Sequence, residues 1–502
     1  MKANLNSVLA CTATAALLNF AYPPVEWAIL AFAAFVPLMF FREASWQRRF
    51  FTGWLAGWCT QASGYFWIFL TIRDFGGQSV PVSLTGAALF WLYQGLDFGI
   101  WLWLAPLAAA GLPKWCRPLV LASVWTVLQQ GLYPYVFRWD YGAAFASLPV
   151  SWSAAYWQSA GVGFLAIALQ AVPFYYPPRG ESARTSALYL LALVLALGSG
   201  VLYRPPTASE TWRVGVVQPN LIPWAKQGHL SAEELFAVHY ERSLGFLDRD
   251  LDLLIWPETA LPFSLDRFPE MERDMRELAK RLNAGLVFGA IGFSERGRYT
   301  NEIRFFDPGG GPPQVYGKER LVWFSESLPW VFSWARRFDP AIGGFDRGAE
   351  NKLFRFRGKE LTPLVCFEAL FPGYAAKRPG HLMINLTNDA WFGRTKASAL
   401  HLQQIRLRSV ESGVPLIRAT NSGISCWVDP FARVREAGAL YEAQGLLFEV
   451  PIPDAVPAPI ARWGGRVVLV FSWVLLVFGL GFRLSQRVNT KVRFGKGSES
   501  SD

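Results

Sequence analysis

Apolar positions follow two different patterns along this chain. Before residue 205, long uncharged runs alternate with short polar connections, whereas residues 205–462 mix apolar and charged positions as a globular domain does. A spanning helix needs roughly 17–25 mostly apolar residues. Seven runs precede the globular segment and one follows it: Leu5–Ala21, Trp27–Phe41, Phe51–Ile72, Val80–Leu112, Leu119–Phe137, Tyr156–Tyr176, Ser186–Tyr203 and Trp463–Phe482. We predict a seven-helix membrane bundle (1–204), a globular domain (205–462), a C-terminal membrane helix (463–484) and a basic tail (485–502).

The first run contains Val8-Leu9-Ala10-Cys11, which is similar to the cleavage site of a lipoprotein signal. The apolar stretch before Cys11 is shorter than the roughly 7–15 residues of a signal's apolar region. The run also continues to Ala21. We therefore expect a retained membrane helix here.

Basic residues alternate between the connections of these runs. Lys and Arg concentrate in cytoplasmic loops. One alternate set of connections, with the tail, carries Lys2, Arg42, Arg48, Arg49, Lys114, Arg117, Arg179, Arg184, Arg483, Arg487, Lys491, Arg493 and Lys496. The other set carries only Arg73 and Arg138 as bases, against Glu26, Asp74 and Asp140. The alternation predicts that both termini are cytoplasmic and that residues 205–462 lie on the far side.

One carboxylate, Asp97, interrupts the run Val80–Leu112. An ionisable group at membrane depth is by default a functional candidate. The run is too long for one straight span, however, so we favour a structural role for Asp97 at a bend or an interface.

In the globular segment, short β-rich stretches alternate with helical patterns. The strand candidates are Trp212–Gln218, Leu253–Trp256, Gly285–Gly292, Ile303–Phe306, Leu361–Cys366 and Leu382–Leu386, and the helix candidates are Ser231–Leu247 and Pro269–Leu282. Ser231 followed by Glu233 and Glu234 is typical of a helix N-terminus. This mixture favours a layered α/β fold. Tyr299–Phe306 and Gln314–Tyr316 are candidates for an antiparallel pair in a mixed sheet.

Composition agrees with a membrane protein and excludes some partners. Hydrophobic residues make up 52% of the chain and charged residues 17%, with 23 Trp and 39 Phe. Nearly all of the net charge of +10 lies in the predicted cytoplasmic flanks, so it does not indicate a nucleic-acid partner. Cysteine and histidine spacing suggests no zinc site, and no nucleotide or cofactor motif is evident. A Cys366–Cys426 disulfide is the alternative to two free thiols in the globular part.

Three strand-like stretches each end in a reactive side chain: Glu258 after Ile255-Trp256-Pro257, Lys318 after Tyr316-Gly317, and Cys366 after Leu364-Val365. A carboxylate, an amine and a thiol suffice for acyl transfer, because the carboxylate takes the thiol proton and the ammonium stabilises the oxyanion. Taken singly, a cysteine after apolar residues is more often part of the core, and a lone glutamate or lysine is more often on the surface. Together and in this order, they predict a catalytic set.

These motifs resemble those of a known family. Trp256-Pro257-Glu258-Thr259-Ala260, Tyr316-Gly317-Lys318-Glu319-Arg320-Leu321, Cys366-Phe367-Glu368 and Asn388-Asp389-Ala390-Trp391-Phe392-Gly393 are similar to segments of the nitrilase superfamily. With the membrane half, Asp74-Phe75-Gly76-Gly77 and Arg418-Ala419-Thr420-Asn421-Ser422-Gly423, the chain resembles bacterial apolipoprotein N-acyltransferases over nearly its whole length. The resemblance implies a nitrilase-like αββα sandwich on the periplasmic side of the inner membrane.

The resemblance also implies roles for individual residues. Glu258 is the expected general base, Cys366 the nucleophile, and Lys318 an oxyanion stabiliser helped by the backbone N–H of Phe367. The supporting residues are Glu326, which orients the lysine, Glu368, which helps positioning, and Asn301, near the site. The segment Trp391-Phe392-Gly393 is expected at the entrance, with packing inside the fold as the alternative.

The implied reaction is a two-step acyl transfer without a metal or cofactor. Cys366 takes an acyl chain from a membrane phospholipid as a thioester. The α-amine of the S-diacylglyceryl-cysteine of an apolipoprotein then accepts that chain. Three positions depart from the family pattern: Lys226-Gln227 with Trp224 earlier, Gln129 in place of a glutamate, and Phe367 in place of a tyrosine.

Two other functions use the same sequence features. A membrane-tethered nitrilase-type amidase (C–N hydrolase) would pass the thioester to water, although it needs at most one membrane anchor. A polytopic binding protein or transporter with a degenerate nitrilase domain would not need Glu258, Lys318 and Cys366. We therefore favour the transferase.

Overall fold

The computed structural model describes residues 2–180, 182–221, 230–330, 333, 337, 343–348, 352–457 and 460–496. The departure at Trp224 and Lys226-Gln227 lies outside the described residues. The N-terminal part is a helical bundle of α1 (Lys2–Ala21), α2 (Val36–Met39), α3 (Trp46–Gly64), α4 (Trp67–Leu70), α5 (Val80–Gln94), α6 (Leu96–Ala110), α7 (Arg117–Val127), α8 (Ala154–Tyr175) and α9 (Ser182–Gly198). The C-terminal α13 (Ile460–Lys496) packs back on α6, α7 and α8.

Several predicted spans are irregular in the structure. The run Trp27–Phe41 forms a 3-10 helix, Ala28–Ala33, followed by the four-residue α2. The run Val80–Leu112 divides at Gly95 into α5 and α6. A Cβ on Gly95 would lie 2.5 Å from the carbonyl carbon of Gly57, so glycine at both positions lets α3 approach the break closely.

Within the described part of the chain, three helices are long and apolar enough to cross a bilayer: Pro149–Tyr175 (α8 with a preceding 3-10 turn), Ser182–Leu202 and Ile460–Gln486. The eight-span arrangement remains a prediction. Many of the shorter helices are joined by irregular backbone. Neighbouring side chains form hydrogen bonds with some of the N–H and C=O groups of that backbone.

Residues 133–140 show this most clearly. The predicted span Leu119–Phe137 is helical only through Leu132, and an irregular segment follows. The Tyr93 hydroxyl donates to the Pro134 carbonyl (2.8 Å), and the Gln94 side chain bonds the backbone of Val136 and Phe137. Asp97 is fully buried and accepts from the Tyr135 hydroxyl at 2.7 Å, two residues after the Gly95 break. Asp97 therefore has the expected structural contacts at a bend.

Gln129, one of the positions that depart from the family pattern, also supports this region. Its side-chain oxygen accepts from the backbone N–H of Tyr141 (3.4 Å), and its amide donates to the Trp139 carbonyl (3.5 Å). Both partners are at the C-terminal end of the irregular segment, so Gln129 fixes where the chain re-enters the bundle.

The globular part is an α/β sandwich of two mixed sheets. Its elements in order are β1 (Glu210–Gln218), α10 (Ala232–Leu244), β2 (Leu253–Ile255), α11 (Pro269–Leu282), β3 (Gly285–Phe293), β4 (Tyr299–Phe306), β5 (Gln314–Gly317), β6 (Phe354–Phe356), β7 (Lys359–Val365), β8 (Leu382–Thr387), α12 (Ala397–Ser412), β9 (Leu416–Thr420), β10 (Cys426–Val428), β11 (Val434–Ala437) and β12 (Gln444–Ile452). The first sheet has the order β12-β1-β2-β3-β4-β5 and the second β11-β10-β9-β8-β7-β6. In each sheet three parallel strands form the centre and antiparallel strands the edges.

Most of the predicted elements are confirmed. Helix α11 has the predicted bounds, and Ser231 caps α10 in a reciprocal capping box with Glu234. The antiparallel pairing of β4 with β5 also occurs as predicted. The sequence analysis missed α12 and five strands, β6 and β9 to β12.

The two sheets pack face to face through apolar side chains. These include Val216 and Ile255 from the first sheet and Leu361 and Val365 from the second. Helices α10 and α11 cover the outer face of the first sheet, and α12 covers that of the second. This is the expected α-β-β-α layering.

Helix α12 joins the domain to the bundle, because nearly all of its side chains are buried. Its apolar residues Leu400, Leu407 and Val410 belong to the same core cluster as the helices of the bundle. Its polar residues are paired as well: Arg408 bonds Ser159 and Glu411, and Glu411 accepts from the backbone N–H of Ser159 (2.9 Å). The domain is therefore fixed on the bundle along α12.

Candidate active site

Strand ends bring the three predicted reactive residues together. Glu258 lies three residues after β2, Lys318 directly after β5, and Cys366 directly after β7. Parallel strands of open α/β sheets place ligands at their carboxyl ends. The ammonium of Lys318 lies 3.5 Å from Oε1 of Glu258, and both groups act electrostatically on the thiol of Cys366.

Glu258 is buried and oriented by hydrogen bonds from two directions. Its Oε1 accepts from the side-chain amide of Asn301 (2.8 Å), and its Oε2 accepts from the backbone N–H of Asn388 (2.9 Å). The backbone at Gly289 lies directly against the turn that carries Glu258. A Cβ on Gly289 would lie 2.5 Å from the Thr259 nitrogen and 2.7 Å from Cα of Glu258. Any larger residue at position 289 displaces the turn that carries Glu258.

Lys318 forms a buried ion pair with Glu326. Its Nζ lies 2.7 Å from Oε1 of Glu326, whose Oε2 accepts from the backbone N–H of Val322. Burial alone lowers the pKa of the Lys318 amine, but Glu326 and Glu258 raise it by more, so the pKa lies above its usual range. Lys318 is therefore an ammonium throughout the physiological pH range.

Cys366 begins a 3-10 turn with a left-handed backbone, φ 45°. Left-handed backbone at a non-glycine residue is strained and clusters at functional sites. Burial raises the pKa of the Cys366 thiol well above its usual range, and Glu258 raises it further, whereas Lys318 and a hydrogen bond from Thr387 lower it. The resting thiol is therefore protonated and needs a base. Cys366 and Cys426 are both free thiols.

Glu368 links the cysteine turn to the lysine strand. One carboxylate oxygen accepts from the backbone N–H groups of Glu319 (2.7 Å) and Arg320 (3.1 Å), and the other from that of Val365 (2.7 Å). The Tyr316 hydroxyl also donates to this carboxylate. Glu368 therefore sets the spacing between Lys318 and Cys366 without facing the reacting atoms.

A buried cluster behind the site was missed by the sequence analysis. Asp389 bonds Arg418 (2.6 Å) and His401 (3.1 Å), and the pair with Arg418 is fully buried. Burial alone raises the pKa of Asp389, but Arg418 and His401 lower it to about 2. The cluster fixes the turn after β8, which includes the backbone N–H that orients Glu258. In the sequence, Arg418 follows a short apolar stretch that is typical of a buried strand. An arginine in a buried strand is almost always paired with a carboxylate, and this could have indicated the cluster.

The bundle contributes one wall of the site. The ring of Phe367, next to Cys366, lies 5.9 Å from that of Phe137, and Phe392 packs on Trp67 at 4.6 Å. Trp391 is 42% exposed, and its carbonyl accepts from the Thr71 hydroxyl. Gly393 closes this turn with φ 59°. The structure thus places Phe392 inside the fold and Trp391 at the surface between domain and bundle.

The arrangement can perform thiol-based acyl transfer. A carboxylate next to a protonated thiol can take its proton, and an adjacent ammonium can stabilise the oxyanion that forms on an attacked carbonyl. Among the described residues, no group of three or more His, Cys, Asp and Glu side chains is placed to bind a metal ion.

Comparisons with known proteins agree with both halves of the chain. Residues 213–448 match the carbon-nitrogen hydrolase family, and residues 14–172 match the N-terminal domain of apolipoprotein N-acyltransferase. The chain is 30% identical over 501 residues to apolipoprotein N-acyltransferase of Azotobacter vinelandii, covering 93% of this chain and 94% of that protein. It is 28% identical over 508 residues to that of Pseudomonas aeruginosa, covering 94% and 95%.

Among solved structures, an amidase from Nesterenkonia sp. is similar over 55% of this chain and 99% of its own, at 18% identity and a TM-score of 0.39. A CN-hydrolase superfamily protein from Xanthomonas campestris is similar over 51% and 95%, at 18% identity and a TM-score of 0.35. The sequence matches, which extend through both the bundle and the sandwich, establish that the chain belongs to the apolipoprotein N-acyltransferase family.

Proposed function

We propose that this chain transfers an acyl group from a membrane phospholipid to the α-amine of the S-diacylglyceryl-cysteine of an apolipoprotein, through a thioester on Cys366. In the first step Glu258 takes the thiol proton and the thiolate attacks the ester carbonyl. The ester C–O bond breaks, and Glu258 returns the proton to the departing lysophospholipid alkoxide. In the second step the amine attacks the thioester, Glu258 takes the amine proton, and the proton returns to the Cys366 sulfur as the C–S bond breaks.

The observation that carries the proposal is the contact of the cysteine turn with the bundle. Phe367 follows Cys366 and packs on Phe137, which lies in the irregular segment of the bundle next to Arg138. Both proposed substrates are lipid-anchored, so their reacting groups stay near a bilayer. A thiol at the junction of domain and helices can meet such groups, whereas one at the distant face of a soluble domain cannot.

Neighbouring residues support the chemistry by position. Glu326 pairs with Lys318 and so directs the ammonium toward the oxyanion, and Asn301 bonds both Glu258 and Glu326. We assign the backbone N–H of Phe367 as the second oxyanion donor, since it directly follows the nucleophile. Glu368 keeps the two strand ends in register. Trp391 and Gly393 form the rim of the entrance, while Phe392 anchors that rim on the bundle.

We place the catalytic domain on the periplasmic side of the inner membrane, with both termini in the cytoplasm. The support is the alternation of basic residues between connections, since Lys and Arg favour cytoplasmic loops. The helices Pro149–Tyr175, Ser182–Leu202 and Ile460–Gln486 are long enough to span a bilayer, which agrees with a membrane location.

Mass spectrometry of the purified full chain tests the reaction. The protein is incubated with phospholipid, with and without a diacylated lipopeptide. We expect an acyl adduct on Cys366 that moves to the peptide amine, and no adduct in Cys366→Ala or Cys366→Ser. An adduct lost only to water would show a hydrolase, and no adduct from any donor would favour a binding protein.

A further inference from the structure

A second polar feature lies next to Phe367, the residue after the nucleophile, and neither Glu258 nor Glu326 lines it. A cavity of about 220 Å³ opens between the irregular segment of the bundle and the loop after Lys318. Its lining includes Phe367 and Phe371 from the cysteine turn, and Tyr133 and Tyr135 from the bundle. This volume is several times the roughly 30 Å³ of one water in the liquid, so a group larger than a few atoms fits.

Among the described residues, three arginines line this cavity and no acidic side chain does: Arg138, Arg320 and Arg347. The guanidinium groups of Arg138 and Arg320 lie 5.1 Å and 5.3 Å from the centre of the same Phe371 ring. Two cations that share one ring repel each other, and an anion bound between them would offset that repulsion. Within the part of the chain that the structure describes, none of the three arginines forms an ion pair within 4.0 Å.

Arg138 is oriented but not neutralised. One of its terminal nitrogens donates to the Gln129 carbonyl (2.9 Å) and to the side-chain oxygen of Gln130 (2.7 Å). Its Nε is buried without a hydrogen-bond partner among the described residues. The acceptors from Gln129 and Gln130 are neutral, and Nε still has a hydrogen to donate. The guanidinium of Arg138 can therefore bind an oxyanion.

The other two arginines are fixed relative to the catalytic residues. The backbone N–H of Arg320 donates to Glu368. Arg347 precedes Gly348, whose N–H donates to the Lys318 carbonyl at 2.9 Å. A Cβ on Gly348 would lie 2.1 Å from the Gly317 oxygen, so this contact requires glycine. The cavity is therefore held at a defined position next to the site.

We propose that this cavity is a phosphate subsite, in which Arg138, Arg320 and Arg347 bind the phosphodiester of the glycerophospholipid acyl donor. The inference rests on the proposed function and adds where the donor's charged group lies. The aromatic walls contact the glycerol and the start of the acyl chain, and the ester carbonyl then reaches Cys366 past Phe367. After transfer, the same arginines bind the phosphate of the lysophospholipid product.

Binding of two matched lipids tests the subsite without requiring catalysis. The full chain carrying Cys366→Ala is titrated with lysophosphatidylglycerol and with a monoacylglycerol of the same acyl chain, which lacks only the phosphoglycerol. We expect Arg138→Gln and Arg320→Gln each to weaken lysophospholipid binding about tenfold, the loss of one charge-assisted hydrogen bond, and to leave monoacylglycerol binding unchanged. Arg355→Gln, an exposed arginine at the far sheet edge, is the matched control and should change neither.

Three outcomes would overturn the subsite. One is equal weakening of both lipids, which shows that the arginines only support the fold. The second is equal affinity of the Cys366→Ala chain for both lipids. The third is displacement by inorganic phosphate at the affinity of the lysophospholipid, which shows a site for free phosphate. If the wild-type chain forms no thioester but phosphate-dependent lipid binding persists, the thioester mechanism fails and the subsite stands.

Discussion

Asn388 and Glu258 belong to different sheets, and the backbone N–H of Asn388 donates to Oε2 of Glu258 at 2.9 Å. Asn388 follows β8, the neighbour of the strand that ends at Cys366, whereas Glu258 follows β2 of the other sheet. The proposed base is therefore oriented from the sheet that carries the proposed nucleophile. Packing of one sheet on the other decides how far the proton has to travel.

Glu258→Gln tests the proposed general base. The glutamine keeps the shape and can still accept the Asn388 hydrogen bond, but it cannot take a proton. General-base catalysis contributes about 10²–10⁴-fold, so we expect acyl loading of Cys366 to slow by that factor. Single-turnover loading measured by mass spectrometry reports the rate. Glu360→Gln, at the N-terminal end of β7 and away from Cys366, is the control, and equal rates in both variants would exclude Glu258 as the base.

The pH dependence of Cys366 alkylation should move in opposite directions in two variants. Burial and Glu258 raise the pKa of the thiol, and Lys318 lowers it. Iodoacetamide reacts with the thiolate, so in wild type the rate should keep rising beyond the usual thiol pKa of about 8.5. Glu258→Gln removes a raising charge and shifts the profile to lower pH. Lys318→Met removes a lowering charge and shifts it to higher pH.

Peptide mapping after alkylation distinguishes Cys366 from the other thiols. Cys426 is an internal reference, because it is buried and burial raises its pKa to about 12. A profile for Cys366 that stays in place in both variants would show that neither charge acts on the thiol.

Gly289→Ala should impair catalysis through the backbone. The new methyl group meets Thr259, Pro257 and Glu258 backbone atoms at 2.5–2.7 Å, so the turn carrying the carboxylate has to move. A displacement of about 1 Å can cost about 10²-fold in rate, and overpacking costs about 1–3 kcal/mol of stability. Gly245→Ala is the control, since its nearest neighbour lies at 3.4 Å. Loading rates and thermal unfolding of both variants check the prediction, and an unimpaired Gly289→Ala enzyme would contradict it.

Breaking the Asp389–Arg418 pair should destabilise the domain. Asp389→Asn leaves the Arg418 charge buried and unpaired, at a cost of about 3–5 kcal/mol. Asp389→Asn with Arg418→Met removes both charges and should lose less than the sum of the single changes. Denaturant unfolding of the full chain measures the cycle, and strict additivity would contradict a coupled pair.

The same pair predicts an acid-dependent loss of stability. The pKa of Asp389 is lowered in the folded chain to about 2 from an unfolded value near 3.9, so its contribution is complete above the unfolded value. That contribution is lost as pH falls from about 3.9 toward about 2. The double variant should lack this part of the pH dependence.

Reporter fusions test the orientation. A reporter joined after Tyr203 should read as periplasmic, and one joined after Arg483 as cytoplasmic, because the basic residues cluster on alternate connections. Alkaline phosphatase is active in the periplasm and the fluorescent protein in the cytoplasm, so the two reporters give opposite signals at each fusion site. Agreement between them is the internal control. A cytoplasmic signal after Tyr203 would overturn the assigned topology.

Local patterns in the sequence predicted much of the molecule. Period-two and period-3.6 apolar positions predicted α11 and the central strands, because these elements bury one or both faces. Short edge strands such as β6 and β11 carry too few apolar residues for that signal. Helix α12 was missed for the opposite reason: it is buried on all sides, so its polar residues, including His401 and Arg408, lie among apolar ones without a polar face.

By itself the sequence determined that an apolar helical half precedes an α/β half, and it predicted Glu258, Lys318 and Cys366 as the reactive side chains. It could do so because each of the three follows its own strand-like stretch within a short local motif. Only the tertiary structure decided how those motifs meet, which backbone N–H orients Glu258, and that Arg138 of the bundle lies beside Arg320 of the domain. Such contacts join residues far apart in the chain, and they exist because strand pairing and close helix packing place them there.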